Sequence, residues 1–478
     1  VVKLSLNGDD FIKRIDGLNN EVWVDGKRIT GKISAHPAFS GVLAMKAKLY
    51  DYQVEHCEEF TFFSERTNSR VNFSYQQPKT IEDLKKRSIA TQKLAKLNAG
   101  LLGRSPDYIN TGIMSLGVAE EIFKEENQHY HINIRQIYED AMENDLTFTH
   151  TFINPQVNRS DNYFEESDKV IAAKVIRETS EGIIISGARL LATQGGITDE
   201  ILVLPAGGNY FEDPYNYAFS IPSNTPGLKF ICRESFVSNE SIYDAPLSSK
   251  FEEMDSIVVF DNVLVPWERV FLYKNFKISL RMFSETKFNT FLLYQAVSRM
   301  IVKTEFLLGI AESIVETISI KEYQHVKDKI TEIISALEII KALQLSAMTH
   351  AKVDSRNTMV PDDYPLNVAI CYYPKIYPRL VEILQLLGGS GLILLSTKKQ
   401  FDSSIGSYLD DYLQGTNSSA VDRVQLFRLA WDLCMSSFGS RQTHFERFFF
   451  GDPIRISMGL YDGYPKEKYI NMVKDYLS

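Results

Sequence analysis

The feature that most constrains this chain is a change of hydrophobic period, from about 3.6 residues to 2, at Phe148, with a change back after Pro266-Trp267. Before the first change, the spacing predicts helices over 9–18, over 80–101 behind the start signal Thr80-Ile81-Glu82-Asp83, over 108–126 and over 128–144. An alternating stretch at 21–29 carries Asp25-Gly26, a strong hairpin signal. Between the two changes lie short β runs at 169–176, 182–187, 200–204, 217–221, 227–232 and 255–260, separated by turn residues. After the second change, 289–319, 325–351, 366–387 and 419–446 have the lengths of helices in an antiparallel bundle, and Gly388-Gly389-Ser390-Gly391 ends one of them. A chain of 478 residues exceeds one simple core. The pattern divides it into a mainly helical domain (1–146), a compact β-barrel domain (147–272) and a helical bundle with its tail (273–478).

Composition narrows the function classes. With 44% hydrophobic and 24% charged residues, the chain has the make-up of a globular protein. A net charge of -9 offers no electrostatic footprint for nucleic acid or an anionic membrane. No apolar run approaches the ~20 residues of a membrane span, and 1–11 has no apolar core of a secretory signal. Cys57, Cys232, Cys371 and Cys434 are scattered, so neither a disulfide framework nor a metal ligand set is expected. A reducing cytoplasm follows from that reading.

Two segments carry the chemistry. The strand Thr147-Phe148-Thr149-His150-Thr151-Phe152-Ile153 stops at Asn154-Pro155 and runs into an amide-rich elbow, Gln156-Val157-Asn158-Arg159. Alternation sets Phe148, His150 and Phe152 on one face and the three threonines on the other. An imidazole between two aromatic rings, followed by amides and a guanidinium, suits a flat aromatic substrate and a flavin. Upstream, Ser105-Pro106-Asp107 is a favourable helix start, with Ser105 at the N-cap. It is flanked by Arg104 and Tyr108, whose guanidinium and phenol could converge with free backbone N–H groups on one anionic oxygen. Taken singly, each segment also reads as ordinary structure: a capped helix, or a core histidine bonded to a carbonyl. Thr193-Gln194-Gly195-Gly196 is a second polar loop, able to offer a hydroxyl and backbone N–H groups to a flavin ring. No Gly-rich dinucleotide fingerprint of the Rossmann kind is present.

In this order, residues 104–108, 149–159, 261–269 and 451–453 resemble the motifs of the 4-hydroxyphenylacetate 3-hydroxylase family, over essentially the whole chain. The resemblance implies an α+β multidomain, acyl-CoA dehydrogenase-like fold: an N-terminal helical domain, a middle β-barrel and a C-terminal helical bundle. It implies the oxygenase component of a two-component system for catabolism of aromatic compounds, usually a homotetramer (a dimer of dimers). A separate NAD(P)H:flavin reductase would supply FADH2. With O2 as co-substrate, a para-substituted phenol resembling 4-hydroxyphenylacetate would be hydroxylated ortho to its hydroxyl, giving a catechol by way of a flavin C4a-hydroperoxide.

Carried over by residue, the catalytic phenol contacts fall on Arg104, Tyr108 and His150. The FAD contacts fall on His150, Thr151, Phe152, Gln156, Val157, Asn158, Arg159, Thr193, Gly451, Asp452 and Pro453, and further substrate contacts on Pro205 and Ala206. No metal is implied. The 205–215 loop departs from the family pattern, which leaves the identity of the phenol open. Among relatives of the same fold, the 4-hydroxybutyryl-CoA dehydratases hold an iron-sulfur cluster on three Cys and a His, a set absent around 104–108. Another phenol monooxygenase of the family, one acting on chlorophenols included, and a non-catalytic flavin-binding relative stay open as alternatives. An acyl-CoA oxidoreductase would need a catalytic carboxylate at the flavin, and no single Glu stands out for that.

Overall fold

The computed structural model describes residues 6–126, 128–156, 170–206, 213–237 and 241–477. It divides into two compact units, Val1–Lys303 with Val353–Val360, and Thr304–Lys352 with Pro361–Ser478.

The first unit begins with helix Gly8–Leu18, whose N-cap Asn7 accepts from the Asp10 N–H and whose chain reverses at left-handed Asn19. The predicted hairpin forms from β1 (Val22–Val24) and β2 (Lys27–Arg28), with Asp25 and Gly26 at φ 50° and 72°, the turn whose twist matches paired strands. A second hairpin, β3 (Thr61–Ser64) with β4 (Ser69–Asn72), precedes the helix Ile81–Leu97. There, at the expected helix start, Thr80 and Asp83 exchange side-chain and backbone hydrogen bonds at 3.1 and 3.0 Å, a capping box. This helix stops short of the expected Leu101. Ala99 and Gly100 both take positive φ, and a side chain at Gly100 would lie 2.8 Å from the Lys303 nitrogen. Helices Pro106–Val118 and Tyr130–Asn144 follow.

Among the described residues eight strands come next: β5 (Phe148–Thr151), β6 (Lys174–Glu178), β7 (Gly182–Thr193), β8 (Glu200–Val203), β9 (Tyr217–Pro222), β10 (Leu228–Cys232), β11 (Asp255–Pro266) and β12 (Val270–Tyr273). They form two open sheets, in the orders β2-β1-β10-β11-β7-β6 and β12-β9-β8-β5. The early hairpin thus joins the larger sheet, β1 running parallel to β10. The β-barrel expected at 147–272 is not closed among the described residues. On one side β5 pairs with β8 in parallel, His150 opposite Leu202. On the other, among the described residues, β7 makes an isolated bridge from Leu190 to Ile153, two residues past β5, and the Thr149 and Thr151 hydroxyls donate to the Thr193 and Leu190 carbonyls at 2.8 Å each. Side-chain hydroxyls stand where ladder bonds would have sealed the barrel.

In the second unit, helices Gln324–Thr349 and Asp363–Gly388 lie close to the expected bounds, and Gly389 at φ 51° terminates the latter. The single helix expected at 419–446 is two, Ala420–Cys434 and Ser437–Phe448. Ser436 breaks it: its hydroxyl donates to the Asp432 carbonyl at 2.8 Å and accepts from the Gly439 N–H at 3.0 Å, starting a new helix. The final helices, Pro453–Gly463 and Glu467–Leu477, leave Ile454, Met458, Tyr461, Ile470, Val473 and Tyr476 exposed. No described helix is long and apolar enough to cross a membrane.

Candidate active site

The strand β5 and the start of helix Pro106–Val118 bring the anticipated residues together. Tyr108 sits in the first turn, 2% exposed, with the Arg104 guanidinium carbon 4.6 Å from its ring centroid. Its ring lies 6.2 Å from that of His150 at an interplanar angle of 47°, and His150 lies 5.5 Å from Phe152 at 30°. Guanidinium, phenol and imidazole therefore form one cluster, flanked by an aromatic ring.

The helix start differs in one respect from the expected cap. Ser105 occupies the N-cap but gives its hydroxyl to the Asp107 carboxylate instead of capping the backbone. Asp107 is buried and also accepts from Gln295 at 2.9 Å and Thr91 at 3.4 Å. Burial raises its carboxyl and these bonds oppose the rise. The acid anchors the helix from below and is not presented to a ligand.

Charge in the cluster is set by burial. The His150 imidazole is held well below its ordinary range, first by burial and then by the Arg104 charge, so it is neutral at physiological pH. Burial raises the Tyr108 phenol, against the pull of Arg104 and Arg299, so it keeps its proton. One permanent cation and two neutral groups able to donate hydrogen bonds make a receptor for an anionic or developing anionic oxygen.

Asn154, two residues past Phe152, is 6% exposed and has neither amide atom bonded among the described residues. Buried amides are rarely left so. Sequence reasoning passed over Asn154 as a turn residue, because an Asn before Pro reads first as the end of a strand. Thr151 is tied to β7, Gln156 is exposed, and the expected Val157, Asn158 and Arg159 lie outside the described residues. In the 193–198 turn the backbone N–H groups of Gln194, Gly195 and Ile197 are spent on the Met254, Ala192 and Gln194 carbonyls. Thr193 gives its hydroxyl hydrogen to Asp255 at 2.8 Å, leaving the oxygen able to accept. Pro205 and Ala206 follow directly on β8, just past the bond from the Leu204 N–H to the Thr151 carbonyl at 3.1 Å. Gly451, Asp452 and Pro453 belong to the second unit, where the Asp452 side chain caps helix Pro453–Gly463.

The chain matches two family profiles: one described as 4-hydroxyphenylacetate 3-hydroxylase N terminal, at residues 7–272, and one as 4-hydroxyphenylacetate 3-hydroxylase C terminal, at 279–478. It is 52% identical over 474 residues to a probable 4-hydroxyphenylacetate 3-monooxygenase of Bacillus subtilis (strain 168), covering 99% of this chain and 98% of that one. A crystal structure of the oxygenase component of 4-hydroxyphenylacetate 3-monooxygenase, complexed with FAD and 4-hydroxyphenylacetate, matches at TM-score 0.94 and 39% identity, over 99% of this chain and 98% of that one. An archaeal 4-hydroxybutyryl-CoA dehydratase from N. maritimus shares the fold alone, at TM-score 0.88 and 18% identity over 99% of this chain and 95% of that one.

Proposed function

The chain belongs to the 4-hydroxyphenylacetate 3-hydroxylase family, and from that membership we propose which of its residues carry the reaction. It is a flavin-dependent monooxygenase, an oxygenase component that uses FAD and O2 to hydroxylate a phenol ortho to its hydroxyl. In our reading the phenol is 4-hydroxyphenylacetate or a close para-substituted relative, and the product a catechol.

The observation that supports the assignment of residues is the contact of the buried Tyr108 ring with both the Arg104 guanidinium and the His150 ring. All three direct polar groups at the phenol oxygen and hold it with phenolate character, which enriches electron density at the ortho carbon. Each preorganised donor of this kind is worth on the order of 10²–10³ in rate. Neutral His150 serves as a donor and needs no second charge beside Arg104.

A flavin fits the segment that follows His150 because Asn154, two residues past Phe152, has a buried amide with both polar atoms unsatisfied among the described residues, and a heterocycle with amide-like edges would answer both. The flavin, when bound, supplies the oxygen-transfer chemistry that no side chain can perform. His150, Thr151, Phe152, Asn154, Gln156 and Thr193 would hold it, joined on the family resemblance by Val157, Asn158, Arg159, Gly451, Asp452 and Pro453. Pro205 and Ala206 would face the substrate tail.

The same reading includes a separate NAD(P)H:flavin reductase, a cytoplasmic location and a homotetramer. The tetramer draws support from the apolar side chains that the last two helices expose, since a lone chain seldom leaves so many uncovered. The test is product analysis with chemically reduced FAD, air and a panel of phenols. A catechol from a para-substituted phenol is expected; flavin oxidation without catechol from any phenol would refute the reading.

A further inference from the structure

Glu253 is 1% exposed, and its carboxylate points at the backbone in front of the Pro106 helix. One oxygen accepts from the Gly103 N–H at 3.1 Å, the other from the Arg104 N–H at 2.7 Å. The Gln194 amide lies across the pair. Its nitrogen donates to the Arg104 carbonyl at 2.9 Å and to Glu253 at 3.1 Å. Both polar atoms of the Arg104 main chain are thereby fixed by charge-assisted or amide bonds, which fixes the direction in which its side chain leaves.

The segment carrying Glu253 fixes the cofactor side as well. Asp255, two residues on, accepts the Thr193 hydroxyl at 2.8 Å, and the Met254 carbonyl accepts the Gln194 N–H at 3.0 Å. Arg233 bonds Glu252 at 2.6 Å and Asp255 at 3.0 Å, stiffening the segment from outside. Met254 and Gln194 both take positive φ, at 60° and 62°, a conformation side chains adopt only when the surroundings impose it. One short acidic stretch therefore holds both Arg104 and Thr193 in place.

We propose that Glu253 is a positioning residue that registers the phenol-binding Arg104 against the flavin-facing Thr193 turn, acting through main-chain bonds and touching neither ligand. The inference rests on the roles given above to Arg104 and Thr193. Misplacing a clamping guanidinium by about 1 Å can cost on the order of 10²-fold in rate.

The test is Glu253→Gln, which keeps the shape but turns an amide NH2 toward one of the two backbone N–H groups. Catechol formed per O2 consumed should fall at least about tenfold, with the balance appearing as H2O2, while FADH2 affinity changes less than about threefold. In the flavin-free protein, deuterium exchange at Gly103 and Arg104 should speed up at least about tenfold while β5 keeps its protection. Wild-type coupling with unchanged exchange would overturn the proposal, and so would equal losses of coupling and FADH2 affinity. If Glu253→Gln does not fold, Gln194→Met removes the bridging amide alone and is held to the same criteria. Arg104→Met, assayed alongside, separates the two levels. If Arg104→Met uncouples and Glu253→Gln does not, only the positioning role fails; if neither does, the reading of the phenol site fails.

Discussion

Arg104→Met tests the site most directly, because two effects of the guanidinium can be followed independently. The first is on turnover. Methionine keeps much of the side-chain bulk over the Tyr108 ring, where the guanidinium carbon lies at 4.6 Å, but removes the charge and every donor. Losing one preorganised donor costs about 3–4 kcal/mol of transition-state stabilisation, or on the order of 10²–10³ in coupled hydroxylation. The second effect is on His150. Its imidazole is depressed by burial and, secondarily, by Arg104; the substitution removes the second cause and leaves the first. The imidazole should rise but stay below its ordinary value of about 6.5. Its linkage to stability has a definite sign. A histidine depressed in the fold binds fewer protons than in the unfolded chain, so stability is kept above about pH 6.5 and lost as the pH falls through it. The variant narrows the window of that loss. Catechol per FADH2 would be measured with FAD affinity, and the His150 titration followed by NMR. Full catechol yield, or a His150 titration that does not move upward, would refute the reasoning.

Two further outcomes concern stability. Lys46 is buried with its ammonium donating to the Ile197 carbonyl at 3.0 Å and 5.3 Å from the Phe11 ring centroid, and burial lowers it from 10.5 to about 7. Such a shift disfavours the charged form by about 5 kcal/mol. The unfolded chain binds more protons between pH 7 and about 10.5, so stability due to this group rises with pH across that window. Lys46→Met should therefore gain most over wild type near pH 7 and lose the advantage toward pH 10; melting curves with a constant gap across that range would rule this out. Thr80→Ala removes half of a capping box and should cost about 1 kcal/mol, read as faster deuterium exchange at the start of helix Ile81–Leu97 with the β5 amides unaffected.

What could be read from the sequence was local. The Thr80–Asp83 box, the Asp25-Gly26 turn and the period-2 face shared by Phe148, His150 and Phe152 all depend on residues a few positions apart. The open sheets were not legible, because the pairing of β1 with β10 and the threonine bonds between β5 and β7 join distant segments and leave no local pattern. The break at Ser436 was missed because a serine in an amphipathic run shows its capping role only when its bonding partners are known. At the site, Arg104, Tyr108 and His150 were nameable because family motifs mark them. Glu253 was not, since a carboxylate that binds main-chain N–H groups and one amide from distant segments looks, in sequence, like any other acid in a turn.

The four-residue strand that carries His150 has a consequence for how the molecule matures. Its ladder partner β8 is encoded some fifty positions later, and the carbonyls that receive its threonine hydroxyls lie on β7. A fragment ending before residue 200 lacks the ladder that sets His150 opposite Leu202. Pairing across that separation requires loop closure, a cost that the local bonds of the upstream helices do not carry. A chain arrested before β8 would carry the Arg104–Tyr108 helix start with neither β8 nor the Glu253 carboxylate that holds its backbone.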